Sequence, residues 1–272
     1  MKQRISRLPS PALAGVIKEK SVPAAIAAIR NCRYDGATMV DLHLSCLRSA
    51  DRESLEKIIG SAKLPVLALN YNNAYEGGDA GFSEEERVES LLRAVRAGAA
   101  GIDMQGYTFD PGSKSGYFGE KGYSFAAREP KEVVTDEKIV MKQCALIEEV
   151  HSLGSEVLLS CHPGVRMNAG EVVELALFLE KRKPDIIKIV TVAEDEDDLI
   201  ESFRAMLALK REVETPVAYH AGGRAGLLSR VINPVLGGHI AFCVDRYDEG
   251  SFPEQPGLSA VRAAVDNLKK IL

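Results

Sequence analysis

The segment Asp185-Ile-Ile-Lys-Ile-Val-Thr-Val192 decides the fold, because its apolar residues predict a β-strand that is buried on both faces. Pro184 ends an amphipathic helical stretch at 171–183 directly before this strand, and a second such stretch follows at 197–213. A buried strand between two helices is typical of a parallel sheet covered by helices. The segment therefore predicts an α/β architecture.

The same alternation continues in both directions along the chain. Short apolar runs predict eight strands, at 12–16, 38–44, 65–71, 101–105, 156–162, 185–192, 216–220 and 239–244. Further helical stretches lie at 51–62, 83–98, 135–154 and 258–272, and hydroxyl groups of Ser83 and Thr135 cap two of them.

Eight such units in 272 residues predict a single-domain (β/α)8 TIM barrel over 1–272, with a long loop at 106–131 after strand four. A doubly wound open sheet is the alternative. It is disfavoured because no glycine-rich turn follows the first strand.

The composition narrows the class of protein. A formal net charge of −5 disfavours nucleic acid or a membrane surface as a partner. No run reaches the roughly 18 apolar residues that a membrane span requires, and the first residues lack the apolar core of a signal peptide. The five cysteines have no regular spacing, which fits free thiols. We therefore predict a cytoplasmic protein without membrane or nucleic-acid partners.

Polar residues collect at the C-terminal ends of the predicted strands, where TIM barrels carry their active sites. Alternation along each strand directs these side chains inward, and they are Asp41, His43, Asn70, Asp103, Gln105, Ser160, His162, Lys188 and His220. This end of the barrel is the predicted site.

Lys188 is the most informative of these residues, because isoleucines flank it in a central strand. One interpretation is structural, with the amine paired to Asp103 or Asp41. The other is catalytic: burial disfavours the charged form of a lysine, and a neutral amine attacks a carbonyl to form a Schiff base. His162 would then lie within reach as an acid and base. The residues alone leave both interpretations open.

Several segments, in order, resemble the type I 3-dehydroquinate dehydratases, which are Schiff-base (β/α)8 lyases of the shikimate pathway. Ser160-Cys-His162 is similar to the family's Ser-x-His segment, and Ile187-Lys188-Ile189-Val190 is similar to the strand with its Schiff-base lysine. Gly223-Arg-Ala-Gly226-Leu-Leu-Ser229-Arg230 resembles its Gly-x-x-Gly-x-x-Ser-Arg motif. Ser251-Phe-Pro-Glu-Gln255 resembles Ser-Ala-Pro-Gly-Gln, and Glu76-Gly-Gly78 resembles the Glu-Gly-Gly after strand three.

The resemblance implies a role for each matching residue. Lys188 would form the Schiff base and His162 would be the general acid and base, while Arg230 would bind the substrate carboxylate. Ser251 and Gln255 would contact the substrate. It also implies that a small keto acid is the substrate, that no cofactor or metal is needed, and that the protein is a homodimer.

Four positions depart from the family pattern. Gln105 stands where the resemblance implies a glutamate that orients the histidine, and we predict that it holds the His162 ring by a hydrogen bond as a catalytic residue. Its amide supplies no charge, so we expect a weaker base at His162 unless another carboxylate, such as Asp103, compensates. Asp41 and His43 replace a glutamate and an arginine on strand two, and Asn70 replaces an arginine on strand three. Asp41, His43 and Asn70 remain candidate substrate-binding residues.

The resulting prediction is a carbon–oxygen lyase that dehydrates 3-dehydroquinate to 3-dehydroshikimate. Three alternatives stay open at this point. The same lysine chemistry could serve a class I aldolase or a dehydratase of another keto acid. Asp41, His43, Asp103, His162 and His220 could instead hold a metal. A non-catalytic binding protein is the third alternative, suggested by Gln105.

Overall fold

The computed structural model describes residues 2–71, 83–110, 132–247 and 254–271, and these contain eight strands that alternate with eight helices. The strands are β1 (Ala12–Ile17), β2 (Met39–His43), β3 (Val66–Leu69), β4 (Gly101–Gln105), β5 (Glu156–Cys161), β6 (Ile186–Val192), β7 (Val217–Gly222) and β8 (Ile240–Cys243). The helices are α1 (Val22–Tyr34), α2 (Arg52–Ala62), α3 (Glu84–Arg96), α4 (Glu137–Ser152), α5 (Ala169–Glu180), α6 (Glu196–Glu212), α7 (Ser229–Leu236) and α8 (Leu258–Leu268).

All the strand pairs are parallel, in the order β7-β6-β5-β4-β3-β2-β1-β8. The two ends of this sheet meet where the backbone N–H of His239 donates to the carbonyl of Val217 at 2.8 Å. The sheet therefore forms a nearly closed barrel surrounded by helices, which confirms the predicted TIM barrel.

The alternation of side chains along each strand separates two apolar cores. One fills the barrel and includes Met39, Leu158, Ile186 and Ala218, while the other packs the outer strand faces against the helices. Residues two positions further along those four strands share the inward face and reach the C-terminal mouth. This geometry directs Asp41, Ser160, Lys188 and His220 into the interior.

One of the two predicted helix caps is at the predicted residue, and the other lies one residue further along the chain. The predicted cap at Ser83 is present, and Ser83 and Glu86 form a reciprocal capping box at α3. At α4 the cap is Asp136 rather than Thr135, because the Asp136 carboxylate accepts from the N–H groups of Lys138 and Ile139 at 2.8 and 3.3 Å. The cap at Thr135 was therefore wrong by one residue.

The N-terminal end of the barrel is sealed by the first described residues. Glu156 accepts hydrogen bonds from Arg4 Nε at 2.8 Å, from the Ser6 N–H at 3.0 Å and from Ser6 Oγ at 2.5 Å. The ring of His239 bonds to Ser10 Oγ and to the carbonyl of Ile5, both at 2.9 Å. Buried polar groups here have partners, which identifies this end as a stabilising element.

No helix among the described residues is long and apolar enough to cross a membrane.

Candidate active site

Lys188 lies in the mouth of the barrel and is almost completely buried. Its Nζ is 3.2 Å from Asp103 Oδ2 and 3.0 Å from the hydroxyl of Tyr71, and it lies 4.6 Å from the centre of the Phe242 ring. Asp103 is fully buried and also accepts from Ser160 Oγ at 2.5 Å. The structural pairing predicted as one interpretation is therefore present, with Asp103 as the partner.

His162 is oriented by a carboxylate that the sequence did not reveal. Glu132 Oε2 lies 3.0 Å from His162 Nδ1 and accepts the backbone N–H of the same residue at 2.9 Å. Because Nδ1 faces a carboxylate, it carries the ring proton, and the lone pair is on Nε2. The hydroxyl of Tyr71 is 3.5 Å from that Nε2. Tyr71 therefore lies between the imidazole and Lys188.

Glu132 comes directly after the segment at 106–131, of which the structure describes residues 106–110. Its side chain is buried, its φ is +60°, and its other carboxylate oxygen has no hydrogen-bond partner among the described residues. A non-glycine residue in the left-handed region is strained, and such strain is concentrated at functional sites. The one sequence signal for it was a glutamate directly before two valines, Val133 and Val134, which are both buried.

Gln105 faces inward as predicted, but both ends of its amide have other partners. Its Oε1 accepts from Arg87 Nη1, and its Nε2 donates to the carbonyl of Asp103 at 2.7 Å. Arg87 is a buried arginine of α3 and is neutralised by Glu84, which lies 2.8 Å from its Nε. The carboxylate beside His162 is thus Glu132, and the compensation expected from Asp103 comes from Glu132 instead.

The structure moves the predicted residue of strand three by one position. Leu67 lies in the barrel interior and Ala68 in the outer core, so alternation directs Tyr71 inward and Asn70 outward. Asn70 Nδ2 donates to Ser90 Oγ on α3 at 2.7 Å. The prediction that Asn70 reaches the mouth was wrong, since a one-residue shift exchanges the two faces of a strand.

Asp41 and His43 remain next to this cluster on β2. Both are buried, and His43 Nε2 lies 3.7 Å from Asp41 Oδ2. The His43 ring meets the Tyr71 ring edge-on, with centroids 6.2 Å apart. These two residues therefore form the wall beside Tyr71, as the inward alternation of strand two predicted.

His220 lines the same mouth from β7. Burial, together with the positive charges of Arg230 and Lys188 and the charge that His162 carries when protonated, lowers the pKa of His220 well below its ordinary 6.5. Its ring lies 6.4 Å from the ring of Phe242. His220 is therefore neutral at physiological pH and stands among the cationic groups of the site.

Arg230 is part of a compact cradle at the start of α7. The preceding turn, Gly222 and Gly223, is held by the Ser229 hydroxyl, which accepts the N–H of Ala221 at 2.8 Å. Arg230 Nη2 donates to Glu254 Oε2 at 2.8 Å. Gln255 is buried next in sequence, and its side-chain Oε1 has no hydrogen-bond partner among the described residues. Ser251 and Glu76-Gly-Gly78 lie outside the described residues.

The described residues contain no group of three or more His, Cys, Asp or Glu side chains arranged to hold a metal. Asp103, one of the possible ligands, is instead paired with Lys188. The arrangement brings an amine, an oriented imidazole and an arginine to one barrel mouth.

Comparison with known proteins agrees with this arrangement. The family model described as type I 3-dehydroquinase matches residues 107–271. The chain belongs to the type I 3-dehydroquinase family. The predictions of family and of enzyme class are therefore confirmed, since 3-dehydroquinate dehydratase is a carbon–oxygen lyase.

Individual relatives are distant from this member of the type I 3-dehydroquinases. A 3-dehydroquinate dehydratase of Aromatoleum aromaticum is 27% identical over 213 residues, which cover 78% of this chain and 70% of the relative. A second, from Desulfotalea psychrophila, is 24% identical over 83% of this chain and 84% of its own length.

Solved structures show the same fold. The type I 3-dehydroquinate dehydratase of Clostridium difficile covers 100% of both chains with a TM-score of 0.77 at 14% identity. The enzyme of Geobacillus kaustophilus covers 99% of this chain and 97% of its own, with a TM-score of 0.76 at 13% identity. At this identity the likeness shows the barrel and not the roles of individual residues.

Proposed function

We propose that this chain dehydrates 3-dehydroquinate to 3-dehydroshikimate through a Schiff base on Lys188. The observation that supports this most directly is the pair formed by the buried amine and the oriented imidazole, with Tyr71 between them. The family supplies the reaction type, and the contacts of this chain supply the assignment of residues.

The first step is condensation of the Lys188 amine with the substrate ketone, which releases one water and forms an iminium. In the resting site the amine is paired with Asp103, so it must lose a proton before it attacks. The Tyr71 hydroxyl, 3.0 Å from Nζ, is placed to pass that proton toward His162. His162 then returns the proton to the hydroxyl of the carbinolamine, which leaves as the water of condensation, so that the imidazole is neutral again when the iminium has formed. Asp103 then remains as the counter-charge for the iminium.

The next steps use His162 twice. The iminium acidifies the adjacent C–H, and Nε2 removes that proton, leaving an enamine. The protonated imidazole then returns the proton to the departing hydroxyl, so that one water leaves and a carbon–carbon double bond forms. Hydrolysis of the iminium restores Lys188. Glu132 stabilises the imidazolium in between, which is the role that an amide at 105 does not supply.

The substrate is held at the opposite side of the mouth. Arg230 pairs with the substrate carboxylate, which suits a planar guanidinium with parallel donors. Gln255 and Ser251 contact ring hydroxyls, and Asp41 and His43 line the wall. No cofactor takes part. We keep as further predictions that the enzyme is a cytoplasmic homodimer, and size-exclusion chromatography with light scattering tests the second point.

The test combines turnover with trapping. Adding 3-dehydroquinate should produce the absorbance of the conjugated enone of 3-dehydroshikimate. Borohydride added with the substrate should fix a covalent adduct that peptide mass spectrometry locates on Lys188. Undiminished turnover by Lys188→Ala, or an adduct on another residue, would overturn the mechanism.

A second candidate keeps the lysine chemistry and changes the substrate to another small keto acid. The observation that favours it is the Asp41–His43 pair on β2, which differs from the family's residues at that wall. Borohydride trapping by other keto acids, in an enzyme inert toward 3-dehydroquinate, would support this candidate over the first.

A further inference from the structure

The carboxylate of Glu254 occupies the cradle around Arg230. Its Oε2 accepts from Arg230 Nη2 at 2.8 Å, and its Oε1 accepts from the backbone N–H of Gly223 at 3.0 Å. Each oxygen of the carboxylate therefore has one donor. The donors belong to a side chain on α7 and to the turn after β7, so the two parts of the cradle converge on a single anion.

The cradle has the shape that a carboxylate requires. A Cβ at position 222 would lie 3.0 Å from Glu254 Oε2, so a side chain larger than glycine would crowd the anion. Gly223 has a φ of +85°, a conformation that glycine adopts without strain. Arg230 Nε has no hydrogen-bond partner among the described residues. The cradle thus binds the Glu254 carboxylate, and the Arg230 Nε–H is a further donor that a ligand could use.

The proposed substrate brings a carboxylate to the same guanidinium. Two carboxylates cannot share Arg230 Nη2 and the Gly223 N–H at full strength, and their like charges repel each other at this distance. Substrate and Glu254 therefore compete for the cradle.

We propose that Glu254 is an internal competitor for the substrate carboxylate and thereby weakens the binding of carboxylate ligands at Arg230. This inference rests on the proposed function, because it takes Arg230 as the carboxylate-binding residue. A ligand with a carboxylate displaces Glu254 and recovers an equivalent ion pair. A neutral ketone of the same size leaves Glu254 in place and gains nothing at the cradle.

Glu254 is suited to leave the cradle. Its side chain is 39% exposed, whereas that of Arg230 is 12% exposed. Rotation of the Glu254 side chain into water exchanges its two hydrogen bonds for hydration, while Arg230 stays buried and ready for the incoming anion. A partly exposed ion pair of this kind contributes a modest factor to binding, on the order of fivefold.

The first experiment measures steady-state kinetics with 3-dehydroquinate for the wild-type chain, Glu254→Ala and Glu254→Gln. We expect KM to fall about fivefold in Glu254→Ala and less in Glu254→Gln, with a smaller change in kcat. The matched control is Glu194→Gln, which removes the same charge close to Gly223 and, among the described residues, forms no hydrogen bond or ion pair with Arg230; its KM should stay at the wild-type value. A KM that is unchanged or raised in Glu254→Ala would overturn the proposal, and a raised KM would assign Glu254 to positioning Arg230.

The second experiment does not depend on turnover. Calorimetry compares the binding of quinate, a saturated hydroxy acid without a ketone, to the same variants. We expect about fivefold tighter binding by Glu254→Ala than by the wild type, and no such gain when Arg230→Gln is added. Equal binding by the two proteins, including no detectable binding by either, would contradict the proposal.

The two experiments separate the two claims. Tighter quinate binding by Glu254→Ala in a chain that does not dehydrate 3-dehydroquinate would reject the proposed reaction and keep the role of Glu254. Normal turnover by the wild type, with no effect of Glu254→Ala on KM or on quinate binding, would keep the proposed reaction and reject the role of Glu254.

Discussion

The two ends of the barrel treat buried polar groups in opposite ways. At the N-terminal end Glu156 accepts three hydrogen bonds, and both ring nitrogens of His239 have partners. At the C-terminal end, the buried atoms without a hydrogen-bond partner among the described residues include Asp41 Oδ1, Glu132 Oε1, Arg230 Nε and Gln255 Oε1. A buried polar atom without a partner costs free energy. The first end is therefore built for stability, and the second keeps donors and acceptors for a ligand.

The strongest test of this contrast is Lys188→Met. Loss of the amine should lower kcat by about 10⁴-fold or more. It should also lower the free energy of unfolding by about 3 kcal/mol, because the fully buried carboxylate of Asp103 loses its cation. Turnover and urea denaturation measure the two effects.

A double variant separates activity from stability at this pair. Adding Asp103→Asn to Lys188→Met should restore most of the lost stability and none of the activity, since no buried charge remains. A single variant as stable as the wild type would show that the ion pair is not what holds Asp103.

The next test replaces one glutamate at each end. Glu132→Gln should lower kcat by about 100-fold, because the imidazolium of His162 loses its counter-charge. Glu156→Gln should leave kcat within about twofold and lower the free energy of unfolding by about 2 kcal/mol, because three hydrogen bonds lose their charged acceptor. Loss of activity in Glu156→Gln and loss of stability in Glu132→Gln would contradict the difference between the two ends of the barrel.

A smaller effect is expected from polar groups without charge. Gln255→Met should raise KM for 3-dehydroquinate about fivefold and leave the free energy of unfolding unchanged, because its Oε1 has no partner to lose. Ser10→Ala should leave KM unchanged and lower the free energy of unfolding by about 1 kcal/mol, because His239 loses a partner. Denaturation and kinetics on the two variants decide the point.

The last test concerns pH. His220 has a lowered pKa in the folded state, so the unfolded chain binds more protons as the pH falls below about 6.5. This residue alone should therefore make the folded state less stable toward acid, by at most about 1.4 kcal/mol per pH unit. His220→Gln should reduce the slope of stability against pH between about pH 6.5 and pH 5. An unchanged slope would contradict the burial of a neutral ring.

Much of the barrel was predictable because its strands are nearly uniform in burial. The predicted bounds of β4 match the structure, and those of β1 and β6 differ by one residue at one end. Side-chain alternation then placed Asp41, His162 and Lys188 correctly, since a strand whose direction and face are known fixes its side chains. Strand three is the exception, because the prediction counted Asn70 instead of Tyr71 on the inward face.

The remaining site residues were hidden for a different reason. Glu132 and Glu254 lie outside strands and helices, where no periodicity tells which way a side chain points. Arg87 is on a helix, but a fully buried arginine contradicts the expectation that charged residues of a helix face water. Its burial depends on Glu84 and Gln105 together, which only the assembled fold brings to one place.

One glycine determines where the long segment after β4 returns to the barrel. A Cβ on Gly106 would collide with the carbonyl oxygen of Glu132, so the backbone there passes closer to β4 than any other residue type permits. A methyl group at this position would push the backbone at Glu132 outward. The Glu132 carboxylate would then lie farther from the His162 imidazole. The contact between the Glu132 carboxylate and the His162 ring thus depends on a residue that has no side chain of its own.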